Sequence, residues 1–276
     1  MSAASAATWM GAIAAIGLVV DALEVLVARA AYTEGGIYSF ALLRSGQRFF
    51  VRGPGVRPFG GLLGYPGVLT LPLVQLAAAA ELLTLPLQDA TTQRWAGAAA
   101  CAVALGARML FYARNVFGQD GSDQMLLVVL SAACAAHLAG SAPAATVFVL
   151  YAAGQLVLAY GTSGIAKAIS PTWRSGRAIP GITRTIGYGS PRLGTWLEAQ
   201  PLVARLLCWS VIVFECGAPL LLLGGRDGAL ALIALGLCFH VGVALTMGLN
   251  VFLWSFAATY PAVLLLGDRI GGLIGG

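Results

Sequence analysis

Long apolar runs, with no regular alternation of polar and apolar positions, dominate this chain. They recur near residues 9–30, 63–87, 95–113, 124–140, 143–161, 202–223, 228–248 and 251–267. Each is long enough to cross roughly 30 Å of hydrocarbon as a helix. Turn-forming clusters separate them: the Gly- and Pro-rich stretch 53–66, Gln88-Asp89, Gly118 to Gly121, Gly140 to Pro143, and Gly224 to Asp227. Backbone polar groups must find partners within the chain in lipid, so continuous apolar runs of this length predict helices, not barrel strands. The expected fold is all-α, a polytopic membrane helix bundle of about eight transmembrane helices. It forms one domain over 1–276, with no internal repeat and no low-complexity tract.

Two polar stretches are longer than a connecting turn needs. Residues 33–62 carry Arg44, Arg48, Arg52 and Arg57 among Phe49, Phe50 and Phe59. Residues 162–201 carry Lys167, Arg174, Arg177, Arg184 and Arg192 with Trp173, Tyr188 and Trp196. Both read as interfacial segments, their Arg side chains reaching headgroups and their rings sitting at the boundary. With eight spans the two stretches share a side. The positive-inside rule makes that side cytoplasmic and puts both termini outside.

Composition removes the soluble alternative. Hydrophobic residues make up 59% of the 276 and charged residues only 10%, with a mean hydropathy of +0.85. An ordinary soluble domain carries roughly 25% charged residues. The net charge of +5 sits mostly in the two basic stretches, which points to topology or anionic lipid as partner and not to nucleic acid. The first apolar run carries Asp21 and Glu24 and has no basic segment before it, so it reads as a retained span and not a cleavable signal. The five cysteines, 101, 134, 208, 216 and 238, lie in apolar stretches without a CxxC pair. They are expected as buried free thiols packing between helices.

Ionisable groups inside the spans are costly and mark either helix pairing or a polar cavity. They are Asp21, Glu24 and Arg29 in the first span, Glu81 in the second, Arg108 in the third, His137 in the fourth, Glu215 in the sixth and His240 in the seventh. Pairing of Glu81 or Glu215 with Arg108 would hold the bundle in register. Alternatively several converge in a cavity, for which Asp21, Glu24 and His240 are the stronger candidates. The stretch Asn115 to Met125 is dense in hydrogen-bonding groups, with Asp120 and Asp123 three apart. Ser122 or Asp123 there suits a helix N-cap.

Arginine outnumbers lysine fifteen to one, the single lysine being Lys167. It follows the fifth span in Tyr160-Gly161-Thr162-Ser163-Gly164-Ile165-Ala166-Lys167 and precedes Ser170-Pro171-Thr172-Trp173-Arg174-Ser175-Gly176. A snorkelling charge could as well be Arg, but Arg could not readily serve as a base. An amine at the mouth of an apolar helix can be desolvated and become a usable base. No P-loop, GxSxG or dinucleotide fingerprint occurs. With two histidines far apart in sequence, no metal-ligand motif is evident.

The segment Tyr160 to Gly176 resembles the HTTM family, the membrane domain shared with vitamin K-dependent gamma-carboxylase. The pattern is an apolar helix ending Tyr-x-x-x-Gly-x-x-Lys, then a Trp and a Gly, here Lys167, Trp173 and Gly176. Phe239-His240, followed by Met247-Gly248-Leu249 and an aromatic-rich last helix, is a second match. Among bacterial proteins the chain resembles the HTTM-type membrane component of the sporulation-delaying-protein toxin system. The resemblance implies that Lys167 is the base that deprotonates a reduced quinone and that His240 is a pocket residue. Asp123 joins them as the third candidate catalytic residue, with Trp173, Asp120, Glu24 and Asn250 as candidate substrate contacts. Two features depart from the pattern. Gly121-Ser122-Asp123-Gln124 stands where the carboxylase has an Asn-His-Ser element, and the chain carries no large β-rich extramembrane region. Both weigh against carboxylation of a peptide Glu and leave a quinol-linked or other modification open. The resemblance also places the Lys167 side opposite to the positive-inside reading, so orientation stays open.

Two functions therefore stand. One is a quinol-linked membrane enzyme acting on a small molecule or secreted peptide. The other is a non-catalytic membrane factor for maturation, export or immunity of a secreted antimicrobial peptide. The expected partners are the lipid bilayer, a secreted peptide and a soluble partner protein that supplies recognition.

Overall fold

The computed structural model of the chain describes residues 1–46, 60–115, 118–187 and 189–274. The headgroup contacts expected of Arg48, Arg52 and Arg57, the Arg44 side chain, and the rings of Phe49, Phe50, Phe59 and Tyr188 lie outside the described residues. Among those residues every regular element is helical. Seven stretches are apolar and long enough to cross a membrane: Ala3–Val27, Gly67–Leu87, Ala90–Arg114, Gly121–Leu138, Ala142–Ile169, Pro201–Met247 and Asn250–Ile274. The sixth has 47 residues, which as one straight helix would run about 70 Å, twice the need of a bilayer. Gly225, at φ +63°, divides it into two helices of spanning length. The expectation of about eight spans therefore stands.

The chain falls into two compact units, Ala3–Val149 and Leu150–Gly276, the latter with Met1 and Ser2. The first contains α1 (Ala3–Val27), α2 (Phe40–Gly46), α3 (Gly60–Leu63), α4 (Thr70–Thr84), α5 (Ala90–Arg114) and α6 (Gly121–Leu138). Helix α1 packs on α4 and α6, and α5 on α4 and α6. The buried faces are built from small residues, among them Ala7, Ala14, Ala79, Ala104 and Ala133. Without a hydrophobic drive between helices in lipid, such faces gain by letting backbones approach closely. At Gly97 the approach is strict, because a Cβ there would lie 2.8 Å from His137 Nε2.

Helix α7 (Ala142–Ile169) carries the chain into the second unit. There follow the short helices α8 (Pro171–Arg174), α9 (Ala178–Thr183) and α10 (Pro191–Glu198), then α11 (Pro201–Leu221), α12 (Gly225–Met247), α13 (Asn250–Ala257) and α14 (Tyr260–Ile274). Helix α12 packs on α13 and α14. The crossing with α14 is made by Gly267, where a Cβ would meet that of Ala229 at 2.6 Å. The last span is discontinuous. Pro261 cannot donate to the ladder, and Thr259, fully buried, closes the break by donating its hydroxyl to the Phe256 carbonyl at 2.7 Å. Backbone broken at membrane depth is tolerated when satisfied locally in this way.

Large apolar side chains that a soluble protein would bury stand outward in both units, including Leu73, Val103 and Met109 in the first and Leu158, Val213 and Leu245 in the second. That is the surface of an integral membrane protein. All five cysteines are free, and Cys101 and Cys208 are buried as expected, but Cys238 is exposed on the outer face of α12.

Candidate functional site

Lys167 does not follow its helix. It lies in the last turn of α7, which runs two residues further. The helix continues because Thr162 and Ser163 are tolerated there, Thr162 donating back to the Leu158 carbonyl at 2.7 Å. Ser163 and Lys167 are four apart and so share a face. Between them Gly164 lets α11 come into backbone contact, since a Cβ would lie 2.6 Å from the Cys216 nitrogen and 2.8 Å from the Glu215 carbonyl carbon.

That approach sets Glu215 opposite the amine. Lys167 Nζ donates to Glu215 Oε2 at 2.6 Å and to Oε1 at 2.9 Å. It also donates to Ser163 Oγ, which in turn donates to Glu215 Oε1 at 3.4 Å. The Trp173 ring of α8 lies beside the amine, its centroid 5.1 Å from Nζ, an attractive position for a cation. The Glu215 side chain is 4% exposed and that of Lys167 18%, so the pair is enclosed on the carboxylate side and open on the amine side. The sequence pattern suggests Arg108 as a partner for Glu215. Its partner is instead Lys167, because α11 packs where Gly164 gives room.

Deeper in the same unit, Tyr160 and His240 join at 2.8 Å through Oη and Nε2. Phe239, Phe252 and Phe256 surround the imidazole, the nearest centroid at 4.5 Å. Gly236 makes room for two hydroxyls, as a Cβ would meet Tyr260 Oη at 2.6 Å and Tyr160 Oη at 3.1 Å. His240 Nδ1 is buried and has no hydrogen-bond partner among the described residues. Thus Lys167, Trp173 and His240 belong to one unit, and no direct bond joins Lys167 to His240 among the described residues. Asn250 begins α13 in this unit and is exposed.

Asp123, Asp120 and Glu24 belong to the first unit. Asp123 is bound to Arg108 Nη2, and Arg108 Nη1 holds Asp21 Oδ2 at 2.5 Å. The expected pairing of Arg108 with Glu81 or Glu215 is therefore not made. Glu81 instead accepts from Gln88 Nε2 at 3.2 Å. Gln75 of α4 donates to Asp21 Oδ2 and to the Leu18 carbonyl, both at 2.8 Å. The N-cap of α6 is Asp120, not Ser122 or Asp123. Its carboxylate accepts from Ser122, while Asp123 accepts from the Asp120 nitrogen at 3.1 Å, closing a capping box. Glu24 is exposed near the end of α1, and Arg29 is exposed just beyond it. His137 is buried over Gly97, its Nε2 without a hydrogen-bond partner among the described residues.

Two residues carry geometry that the chain's pattern does not single out. Ser163 is legible only as the i−4 neighbour of Lys167. Arg114, fully buried at the end of α5, donates to the Leu63 carbonyl at 2.8 Å and the Tyr38 carbonyl at 2.6 Å, with the Tyr32 ring 5.3 Å away. Its place at the end of a span makes it resemble an ordinary interfacial charge. Comparison of the chain with protein-family models, with curated proteins and with solved structures finds no match in any of the three.

Proposed function

We propose that this integral membrane protein is an enzyme of the carboxylase-like HTTM type, in which Lys167 is the base and a reduced quinone is the cofactor. The observation that supports the reading is the bidentate contact of Lys167 Nζ with Glu215 at 2.6 and 2.9 Å. A proton passing from Nζ to Oε2 along that bond turns an ammonium and a carboxylate into a neutral amine and a carboxylic acid. The amine can then take a proton from an acidic hydroxyl on its open side, with Ser163 holding Nζ in place. A reduced quinone suits this donor set: its ring has the Trp173 face beside the amine, and it would supply the hydroxyl that gives up the proton. The substrate is a small molecule or a secreted peptide, with a soluble partner protein supplying recognition.

The same contact also supports a second reading, because it ties α7 to α11 whether or not a proton moves. In that case the chain is a non-catalytic membrane factor for maturation, export or immunity of a secreted antimicrobial peptide. Lys167→Arg separates the two, since guanidinium keeps the ion pair but does not give up its proton. Wild type, Lys167→Arg and Lys167→Ala, each checked for folding in membranes, are compared for oxidation of added naphthoquinol by dioxygen in air-saturated buffer, followed by mass spectrometry. Turnover by wild type that both variants lose supports the enzyme. Wild type no better than empty membranes removes the quinol reading and leaves the non-catalytic factor.

A further inference from the structure

We infer that Asp21 and Asp123 share one exchangeable proton beside Arg108, which makes the first unit a proton-binding site independent of Lys167. One guanidinium holds both carboxylates, Asp21 through Nη1 and Asp123 through Nη2. Arginine does not deprotonate in proteins, so its single positive charge is fixed and any adjustment falls to the acids. Two carboxylates at one site cannot both ionise freely, and a surplus negative charge away from water is neutralised by a proton.

Among the described residues, the neighbouring groups do not supply a second cation to the pair. From α1 come Asp21 itself and the exposed Glu24, and from α4 the neutral Gln75. Helix α6 adds Asp123 and the acidic cap Asp120. Helix α5 adds Arg108 and, one turn and a half on, Arg114, which is engaged with the Leu63 and Tyr38 carbonyls. Tyr32, in the turn after α1, stays protonated: burial, reinforced by the Asp21 carboxylate, pushes its hydroxyl far above the ordinary tyrosine range.

Geometry also indicates where the proton sits. Both oxygens of Asp123 accept hydrogen bonds, from Arg108 Nη2 and the Asp120 nitrogen. Arg108 and Gln75 both donate to Oδ2 of Asp21, while its Oδ1 has no donor among the described residues. Arg108 Nε is likewise buried without an acceptor among them. The Arg108 side chain is 3% exposed, whereas those of Asp21 and Asp123 are 19% and 20%. The fixed charge is thus enclosed, and the two acids beside it are partly open.

The test is infrared titration of the purified full chain in liposomes, following the protonated-carboxyl stretch and its shift in deuterium oxide. Wild type is expected to show a titrating component that both Asp21→Asn and Asp123→Asn lose, because the remaining carboxylate then pairs alone with Arg108. It is read in wild-type-minus-variant difference spectra, in which Glu215 and the other acids cancel. Should an Asn variant not fold, Asp21→Glu or Asp123→Glu moves the band in frequency instead. Absence of that component from the wild-type-minus-variant difference spectrum of either folded Asn variant overturns the inference. Suppression of the band by sodium at constant pH overturns it too, since the site then takes a metal cation. None of these outcomes depends on quinol turnover.

Discussion

In the first unit one guanidinium meets two carboxylates, and in the second one ammonium meets one carboxylate. Both clusters sit in helices of spanning length, yet they answer burial differently. Arg108 draws Asp21 from α1 and Asp123 from α6, with Gln75 of α4 bracing Asp21, so four helices converge on a charge that is permanent. Lys167 and Glu215 join only α7 and α11, and a single proton transfer removes both charges. A permanent buried charge needs its counter-charges in every state of the protein. A pair that can neutralise itself needs them only in some states, which leaves it available for chemistry.

The contrast predicts unequal responses. Arg108→Gln removes the counter-ion of the Asp21–Asp123 pair, and is expected to cost roughly 3–5 kcal/mol, the range for breaking a buried ion pair. Thermal unfolding in nanodiscs would show it as a large fall in midpoint or a failure to accumulate. A near-wild-type midpoint would mean the cluster is solvated and the contrast is wrong.

Gly164→Ala comes next. Its Cβ meets α11 backbone at 2.6 Å, where no side chain can yield, so the helices must separate at a cost of about 3 kcal/mol. Gly97→Ala in the first unit meets only the His137 ring and should cost less. Equal midpoints for the two variants would contradict the close α7–α11 approach.

Lys167→Met leaves Glu215 buried without its partner, for about 1–3 kcal/mol. One proton neutralises Glu215, whereas the two acids left by Arg108→Gln need two, so the loss stays below that of Arg108→Gln. The double variant Lys167→Met with Glu215→Met should regain most of it, because apolar replacement of a buried pair is often neutral. A double variant no more stable than the single would show that the pair contributes beyond mutual neutralisation.

The smallest effect belongs to Asp89, the exposed N-cap of α5. The Thr92 hydroxyl, then the Thr92 and Thr91 amides, hold its carboxyl below the usual carboxylate range. Its contribution is full above the ordinary carboxylate range and is lost as pH falls through the lowered value. Asp89→Ala should lower the unfolding midpoint slightly at neutral pH, and the difference should vanish toward the acid end of that window.

Hydropathy alone determined that this is a helical membrane protein, and located its spans, because lipid admits few backbone solutions and each needs a run of known length. Asp21, Arg108, Asp123, Glu215, His240 and Lys167 are all conspicuous as ionisable groups at or inside apolar runs. Their partners are not. Span boundaries hide that Lys167 lies within α7, since Thr162 and Ser163 read as polar punctuation but satisfy their hydroxyls on or beside their own helix. The break at Thr259 and Pro261 is likewise masked by the apolar residues on either side. Which carboxylate reaches which cation depends on small residues such as Gly164, whose effect is exerted on a helix some fifty residues away in the chain. A one-dimensional pattern records the cost of each buried charge, and only packing decides which group offsets it.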